Sequence, residues 1–330
     1  MMLDEIWRMA LACGKLQCRG SICHYFRVTF VLASTISRPI SRLQGYKTMS
    51  GTMRLFFLLI ILMAPTVEVQ AHTIITRMTD RQDVSLSQLA AVAVRSDLVL
   101  IGEVHDNKDH HDLQLDLIRA LFAGNPQLAI GLEMIQTDHQ QQLDEWTGGR
   151  MSEQAMQAVF VRNWSPVWHM YRGIFVFARD NHIPMVALNV PIEIVRKVSQ
   201  QGFASLTREE KKGLPEGTSC DLRNPQIGML RKSFQEVPNH LRDGRMFNNF
   251  CEAQTVRNSG MAINMMRYNG KVPDRKIVVL TGIWHAVKYA IPDQLERFGS
   301  RLSYTVILPE TPLLNSNNSS SSEADYLVEL

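Results

Sequence analysis

Leu98-Val99-Leu100-Ile101-Gly102-Glu103-Val104-His105 is an apolar run that ends in a Gly-x-x-His turn, and Ile277-Val278-Val279-Leu280-Thr281-Gly282-Ile283-Trp284-His285 repeats the arrangement later in the chain. Short aliphatic runs of this kind predict strands that are buried on both faces, as in a parallel sheet. Glycine at each turn suits a tight bend, where the backbone approaches a neighbour closely or takes a positive φ. The paired turns therefore predict one functional site on an α/β domain.

The same kind of apolar pattern predicts further strands and helices. Apolar runs at 128–132, 184–188 and 304–308 predict three more strands, and helical spacing of apolar residues predicts helices over 110–122 and 168–180. Alternation of strands and helices predicts an α/β fold with a mostly parallel sheet flanked by helices.

The domain limits follow from composition. Residues 191–269 are rich in Arg, Lys, Glu, Gln and Met without a buried-strand pattern, which predicts a smaller helical insertion. The Asn/Ser-rich stretch at 315–322 predicts a disordered tail over 315–330. The predicted domain is therefore 72–314, after an extension and signal peptide at 1–71.

The targeting signal is internal. Arg54 precedes an unbroken apolar run at 55–64, and Val69 and Ala71 supply the small residues that predict cleavage before His72. An apolar run of this length is shorter than the roughly 20 residues of a membrane span, although an uncleaved anchor stays an alternative. The sequence predicts export to the periplasm or secretion, without a lipoprotein cysteine.

The charge balance excludes one class of partner. The chain has 35 Lys and Arg and 32 Asp and Glu; the first 71 residues hold 8 and 3 of these, which leaves 27 basic and 29 acidic groups, a net charge of −2. A nearly neutral domain gives no electrostatic reason to bind nucleic acid. Cys220 and Cys251 remain after the predicted cleavage, either as a disulfide suited to an oxidising compartment or as two free thiols.

The predicted strands end in residues that can do chemistry. Glu103 and His105 follow the first strand, Glu133 the second, Asn189 the third and His285 the fourth. Ligands bind outside the carboxyl ends of parallel strands, so these side chains are expected at one edge of the sheet. Two histidines with a glutamate predict either a divalent-metal site or a general base with an orienting carboxylate. The competing interpretation is that each residue is structural, as in a binding or scaffold protein.

An aromatic cluster lies in the stretch 164–172. His169, Tyr171 and Arg172 combine an imidazole, a phenol and a guanidinium with the flat surface of two tryptophans. Such stripes are usually core, but a planar ligand with carboxylates would use the same mixture.

Taken in order, these motifs resemble the ChaN-like haem-binding family of the Tiki and erythromycin-esterase-like superfamily. The resemblance is carried by 98–107 with His110, His111 and Gln114, by 131–134 with Gln140 and Gln141, by Trp164 with Tyr171, by 178–179 and 187–191, and by 254–261 and 281–286 with Ile291 and Pro292. It spans about 84–309.

The resemblance implies an exported protein of haem or iron uptake. It implies haem bound at a homodimer interface with a Tyr on the iron, and an outer-membrane haem receptor system as a partner. Tyr171 is the first candidate ligand and Tyr289, one turn after His285, the second; His105, His285 and His169 are further candidates, with Arg172 for the acid groups. The haem would be non-covalent, because the chain has no Cys-x-x-Cys-His motif.

The alternative is a hydrolase, which the wider superfamily includes. His105, Glu133 and His285 would be its catalytic residues, with or without a divalent metal. The chain has neither a Gly-x-Ser-x-Gly elbow nor a His-Glu-x-x-His motif, which argues against the common serine and zinc peptidase routes.

Overall fold

A computed structural model describes residues 73–165, 167–216, 218–236 and 247–330. The predicted extension and signal peptide lie outside the described residues. The strands are β1 Ile74–Arg77, β2 Gln82–Val84, β3 Leu98–Glu103, β4 Leu128–Gln136, β5 Met185–Asn189, β6 Lys276–Gly282, β7 Tyr304–Pro309 and β8 Tyr326–Glu329. The helices are α1 Leu86–Ala93, α2 Lys108–Gly124, α3 Gln140–Thr147, α4 Glu153–Asn163, α5 Trp168–Asp180, α6 Ile192–Gln201, α7 Ile227–Glu236, α8 Phe247–Lys271, α9 Ile283–Ala286 and α10 Ile291–Arg297. Short 3₁₀ turns cover Thr137–His139 and Phe203–Ser205.

The eight strands form one mixed sheet in the order β2-β1-β8-β7-β3-β6-β4-β5. Every pairing from β8 through to β5 is parallel, and β1 pairs antiparallel with both β2 and β8. The five strands predicted from apolar runs are all present, and the predicted α/β class is confirmed. The predicted helix at 168–180 coincides with α5, and that at 110–122 lies within α2.

Two apolar layers cover the sheet. Helices α1 to α5 pack on one face, where Val99 and Ile101 of β3 point, and α8, α9 and α10 pack on the other, where Leu98 and Leu100 point. The chain leaves β3 toward the first face through α2, and it leaves the neighbouring β6 toward the second face through α9. A crevice opens at such a switch point, at the carboxyl ends of the strands.

One local prediction was wrong. The predicted tail at 315–330 is ordered: β8 lies inside the sheet between β1 and β7, and Leu327 and Val328 are fully buried. The polar stretch before β8 folds as turns, and Arg81 donates to the carbonyls of Ser316 and Ser319 at 2.6 Å. The composition is misleading because Asn and Ser side chains also hydrogen-bond to the backbone of turns, a role that these residues favour.

The predicted insertion is helical in its described part, but it does not form a separate unit. Met261, Ala262 and Met265 of α8 pack directly on the second face of the sheet. Cys220 and Cys251 form a disulfide that joins the segment before α7 to α8. Among the described residues no helix is both long and apolar enough to cross a membrane.

Candidate functional site

The carboxylate of Glu103 at the end of β3 is buried under four hydrogen-bond donors. Its Oε1 accepts from Nδ1 of His105 at 2.9 Å and from the hydroxyl of Tyr171, and its Oε2 accepts from Nε2 of Gln114 at 2.9 Å. Nδ1 of His111 lies 3.3 Å from the same Oε2. Although burial favours the neutral acid, the hydrogen bonds from His105 and His111 outweigh it and lower the pKa of Glu103. Glu103 therefore stands as a carboxylate that orients the side chains around it.

The surroundings of His111 hold it as an imidazolium. Its Nε2 faces the carbonyl of His105 at 3.2 Å, and its Nδ1 faces Oε1 of Gln114 at 3.1 Å as well as Glu103. All of these are acceptors, so both ring nitrogens satisfy them only when protonated. Burial lowers the pKa of His111, but the hydrogen bond and charge of Glu103 outweigh it, and the pKa is raised.

Glu133 of β4 is the second buried carboxylate. Its Oε1 accepts from Nη2 of Arg257, and its Oε2 accepts from the hydroxyl of Thr281 and from the backbone N–H of Gly282 at 2.7 Å. Nε2 of His285 lies 3.5 Å from Oε1. We call Glu103, His105, Glu133, Arg257 and His285 the strand-end site.

Opposing effects set the charge of Glu133. Burial favours the neutral acid, but the charges of His285 and Arg257 outweigh it, and the pKa lies far below its ordinary value. Burial lowers the pKa of His285 to about 4, so this ring is neutral at pH 7, and Arg257 with the donors Thr281 and Gly282 keeps the carboxylate ionised there.

A chain of amides fixes the tautomer of His285. Nε2 of Gln226 donates to the carbonyl of Trp284, which leaves Oε1 of Gln226 to accept from Nδ2 of Asn258 at 3.4 Å. Oδ1 of Asn258 then faces Nδ1 of His285 at 2.5 Å, so this nitrogen must carry the proton. Burial lowers the pKa of His285 to about 4 against an ordinary value of 6.5. At neutral pH its Nε2 is therefore an unprotonated base.

The pKa of His105 is shifted in the opposite direction. Burial lowers its pKa, but the hydrogen bond from its ring to Glu103 and the charges of Glu133 and Glu103 outweigh that effect, and the pKa is raised. The pKa values of two histidines of one site are thus shifted in opposite directions, which is an arrangement suited to an acid and a base.

Glycine at position 282 allows the two halves of the site to meet. A Cβ there would lie 2.8 Å from Cε1 of His105 and 3.7 Å from Oε2 of Glu133. Gly102 is required for a similar reason, since its Cβ would lie 3.2 Å from the backbone of Ile283. The predicted role of these glycines is confirmed as close approach, since neither has a positive φ.

The aromatic wall of the site is Trp164. Its ring meets that of His105 edge to face at 4.9 Å, and the guanidinium of Arg257 lies 5.9 Å from its centroid. Asn189, predicted at the same edge, donates through Nδ2 to the carbonyl of Glu133 at 2.9 Å. Its buried Oδ1 has no hydrogen-bond partner among the described residues.

The structure brings Glu103, His105, Glu133 and His285 together as predicted, but it corrects the aromatic candidates. Tyr171 has no exposed surface and donates to Glu103, so its phenol has no open side for an iron. Burial and the charge of Glu103 also raise its pKa, which disfavours the phenolate. Arg172 is exposed and paired with Glu153 at 2.5 Å, and His169 is exposed on the same helix.

A divalent metal site is not supported. Among the described residues no group of three or more His, Cys, Asp or Glu side chains is arranged to hold a metal ion. The physical reason is that both oxygens of Glu133 are occupied by Arg257, Thr281 and Gly282. The predicted set of Tyr171, His105, Glu133 and His285 is a network of hydrogen bonds and ion pairs.

Tyr289 lines a different part of the molecule. It borders a cavity of about 570 Å³ between the segment 218–230 and helices α8 and α10, which we call the insertion cleft. Its hydroxyl contacts the thioether of Met229 at 3.4 Å, a weak acceptor. Arg223, Arg297 and Phe298 also line the cleft, as does Asn258, whose amide holds His285.

Several members of the site escaped prediction. Arg257 and Asn258 lie on α8 within the family-like stretch 254–261, and Gln114 and His111 lie on α2. His111 lies in the first turn of α2, yet it is 1% exposed. A polar residue inside a helix shows its role only once the buried face of that helix is known.

Comparison with known proteins identifies the family. The pattern of the haem-binding uptake family of the Tiki superfamily, ChaN, matches residues 89–295. The chain belongs to this family. The resemblance seen in the strand-end motifs is thus confirmed.

Solved structures extend the comparison of the fold. One match is ChaN of Campylobacter jejuni, from a structure that describes cofacial haem binding to that protein. Its TM-score is 0.60 at 19% identity, and the match covers 78% of this chain and 97% of that chain. At that identity the match shows a shared fold. An erythromycin esterase matches with a TM-score of 0.43 at 14% identity over 77% of this chain and 82% of its own, which is too distant to bear on function.

A curated relative covers a smaller part. Protein RETICULATA-RELATED 5, chloroplastic, from Arabidopsis thaliana is 28% identical over 123 residues, which are 35% of this chain. The chain spans 16% of the length of that protein.

Proposed function

We propose that the protein binds haem non-covalently and takes part in haem and iron uptake. The observation that carries this proposal is the match to the haem-binding uptake family over residues 89–295. Haem is the cargo in this account.

The insertion cleft supplies groups that fit haem. The phenol of Tyr289 contacts a weak acceptor, the thioether of Met229, and the 94% exposed side chain of Arg223 offers a guanidinium for a propionate. Leu222 is 58% exposed at the cleft, and Phe298 adds aromatic surface for the porphyrin. We propose Tyr289 as the iron ligand, in place of Tyr171.

The protonation of Tyr289 makes haem affinity depend on pH. Burial and the charge of Glu323 raise the pKa of Tyr289, so the phenol is protonated in the free protein. A ligating phenol must lose this proton, and haem affinity is therefore expected to rise with pH.

Haemin titration of the purified protein tests the proposal. The expected result is a Soret shift and a charge-transfer band that Tyr289→Phe removes and Tyr171→Phe retains. Free haemin spectra with protein in excess would reject haem binding, whereas retention of both bands in Tyr289→Phe would reject only the ligand assignment.

The strand-end site favours a second function. We propose that the protein is a His/Glu-dependent hydrolase with its active site there. His285 accepts a proton at Nε2 from a water whose oxygen adds to the acyl carbon, and the His105 imidazolium donates a proton to the leaving group as its bond to that carbon breaks. The opposite shifts in the pKa values of the two rings support this assignment.

A panel of esters and amides tests the hydrolase. Wild-type turnover should fall by roughly 10²–10⁴-fold in His105→Ala and in His285→Ala, the range for one acid or base. Unchanged turnover in both variants, or none in the wild type, would reject it.

We also propose export, a homodimer and delivery of haem through an outer-membrane receptor system. The Cys220–Cys251 disulfide supports export, because such bonds persist in oxidising compartments. Fractionation of cells producing the full chain tests export, and sizing of the haem-loaded protein tests the homodimer: a reduced cytosolic monomer would contradict these two proposals.

A further inference from the structure

The rim of the strand-end site is cationic although its floor is acidic. The side chains of His105 and Arg257 are 46% and 16% exposed, whereas those of Glu103 and Glu133 are fully buried. A ligand arriving from solvent therefore meets the imidazole of His105 and the guanidinium of Arg257, while the carboxylates paired with them lie behind.

The charge balance of the cluster also favours an anion. The two carboxylates of Glu103 and Glu133 face the guanidinium of Arg257 and the imidazoles of His105 and His111, whose pKa values are both raised. His285 adds no charge at neutral pH, since burial keeps it neutral. With both imidazoles protonated the cluster holds an excess of one positive charge, and an incoming anion would neutralise it in a partly desolvated setting, where charges interact more strongly than in water.

Trp164 places an apolar surface beside both rim groups. The indole and the His105 ring meet edge to face at 4.9 Å, and the Arg257 guanidinium lies 5.9 Å from the indole ring centroid. A ligand held by both cations must lie beside this ring, so an apolar or aromatic group next to its anionic group would be buried against it.

We propose that the strand-end site binds an oxyanion, carboxylate or phosphate, that carries a small apolar or aromatic group, with Arg257 and His105 on the oxygens and Trp164 against the apolar part. Binding itself requires no chemistry. Its extension to substrates rests on the proposed hydrolase function: the preferred esters and amides would bear a carboxylate or phosphate near the bond that is cleaved.

Calorimetry with matched small probes tests the proposal. Benzoate is compared with benzamide, its neutral counterpart of similar shape, and phenyl phosphate and inorganic phosphate form the phosphate arm. We expect at least one oxyanion to bind roughly tenfold or more tightly than benzamide, the effect of one charge-assisted hydrogen bond. Equal affinity for benzoate, phenyl phosphate and benzamide would overturn it; tighter binding by one oxyanion identifies its class.

Variants locate the binding. His105→Gln and Arg257→Gln should each remove the preference for the anion, whereas Arg267→Gln, an exposed arginine on the same helix, should retain it. Because Arg257→Gln leaves Glu133 unpaired, the double variant Arg257→Gln/Glu133→Gln serves if the single one does not fold. An equal loss in Arg267→Gln, or full affinity in the folded rim variants, would contradict the assignment.

Benzoate binding and ester hydrolysis are measured separately, so the anion site and the hydrolase can be rejected independently of each other. Benzoate binding without hydrolysis of any ester supports the anion site and rejects the hydrolase. Hydrolysis of neutral esters as fast as anionic ones, without benzoate binding, supports the hydrolase and rejects the anion site. The Soret signal reports on the insertion cleft independently of both.

Discussion

Nδ1 of His285 donates to Oδ1 of Asn258 at 2.5 Å, and Asn258 also lines the insertion cleft. One amide therefore fixes the tautomer of the buried histidine and forms part of the wall of the cavity proposed for haem. The strand-end site and the insertion cleft are neighbours that share this residue, although the two proposed functions use different side chains.

The stability of the fold should depend on pH through His285. Its pKa is near 6.5 in the unfolded chain and about 4 in the folded protein, so between these values the unfolded chain binds more protons. Stability is therefore expected to fall as the pH drops from about 6.5 to 4, by up to about 3 kcal/mol. Urea unfolding at pH 7 and pH 5 measures it. His285→Asn, which retains a donor toward Asn258 but does not titrate, should show a smaller loss; an equal loss would exclude His285 as its source.

Removal of Arg257 should destabilise the protein through Glu133. The carboxylate of Glu133 has no exposed surface, so removal of the Arg257 guanidinium leaves a buried charge without its partner. Arg257→Gln is expected to lower the free energy of unfolding by about 3–5 kcal/mol. Adding Glu133→Gln should recover part of this loss in a double-mutant cycle, and strictly additive effects would contradict the coupling.

A methyl group at position 282 should disturb His105. Gly282→Ala places a Cβ 2.8 Å from Cε1 of the ring, which must swing away from its position. The raised pKa of His105 should then move toward 6.5, as measured by NMR titration of the ring protons. Gly270→Ala is the matched control, because its Cβ would meet no atom within 4 Å. A wild-type pKa below 6.5, or no change in Gly282→Ala, would count against the proposed pairing.

Tyr171 should affect stability rather than haem. Tyr171→Phe removes one donor from the buried carboxylate of Glu103, which leaves that oxygen partly unsatisfied. The expected loss is about 1–3 kcal/mol in the free energy of unfolding, with unchanged haemin affinity. Stability equal to wild type would show that the hydroxyl does not support Glu103.

The sequence predicted the sheet and the carboxyl-end residues because both depend on local patterns. The apolar run before Gly102 ends at a glutamate, and parallel strands bring such ends together whatever their separation along the chain. The partners on α8 could not be predicted in this way. Arg257 and Asn258 reach the site through the packing of a long helix on the second face, which no local pattern specifies.

The buried position of Tyr171 follows from the helical spacing of the apolar residues around it, although the family resemblance made it the first candidate iron ligand. Trp168, Tyr171, Phe175 and Ala178 share one face of α5, and that face is buried against the sheet. Helical spacing therefore indicated that the phenol lies in the core. The ordered β8 is the opposite case, since four residues after a polar stretch give little pattern to detect.

The optical titration of the protein with haemin tests the central claim most directly. We predict saturable binding with a Soret shift and a charge-transfer band, both lost in Tyr289→Phe and retained in Tyr171→Phe and His105→Ala. A spectrum identical to that of free haemin, with the protein in excess, would contradict the account.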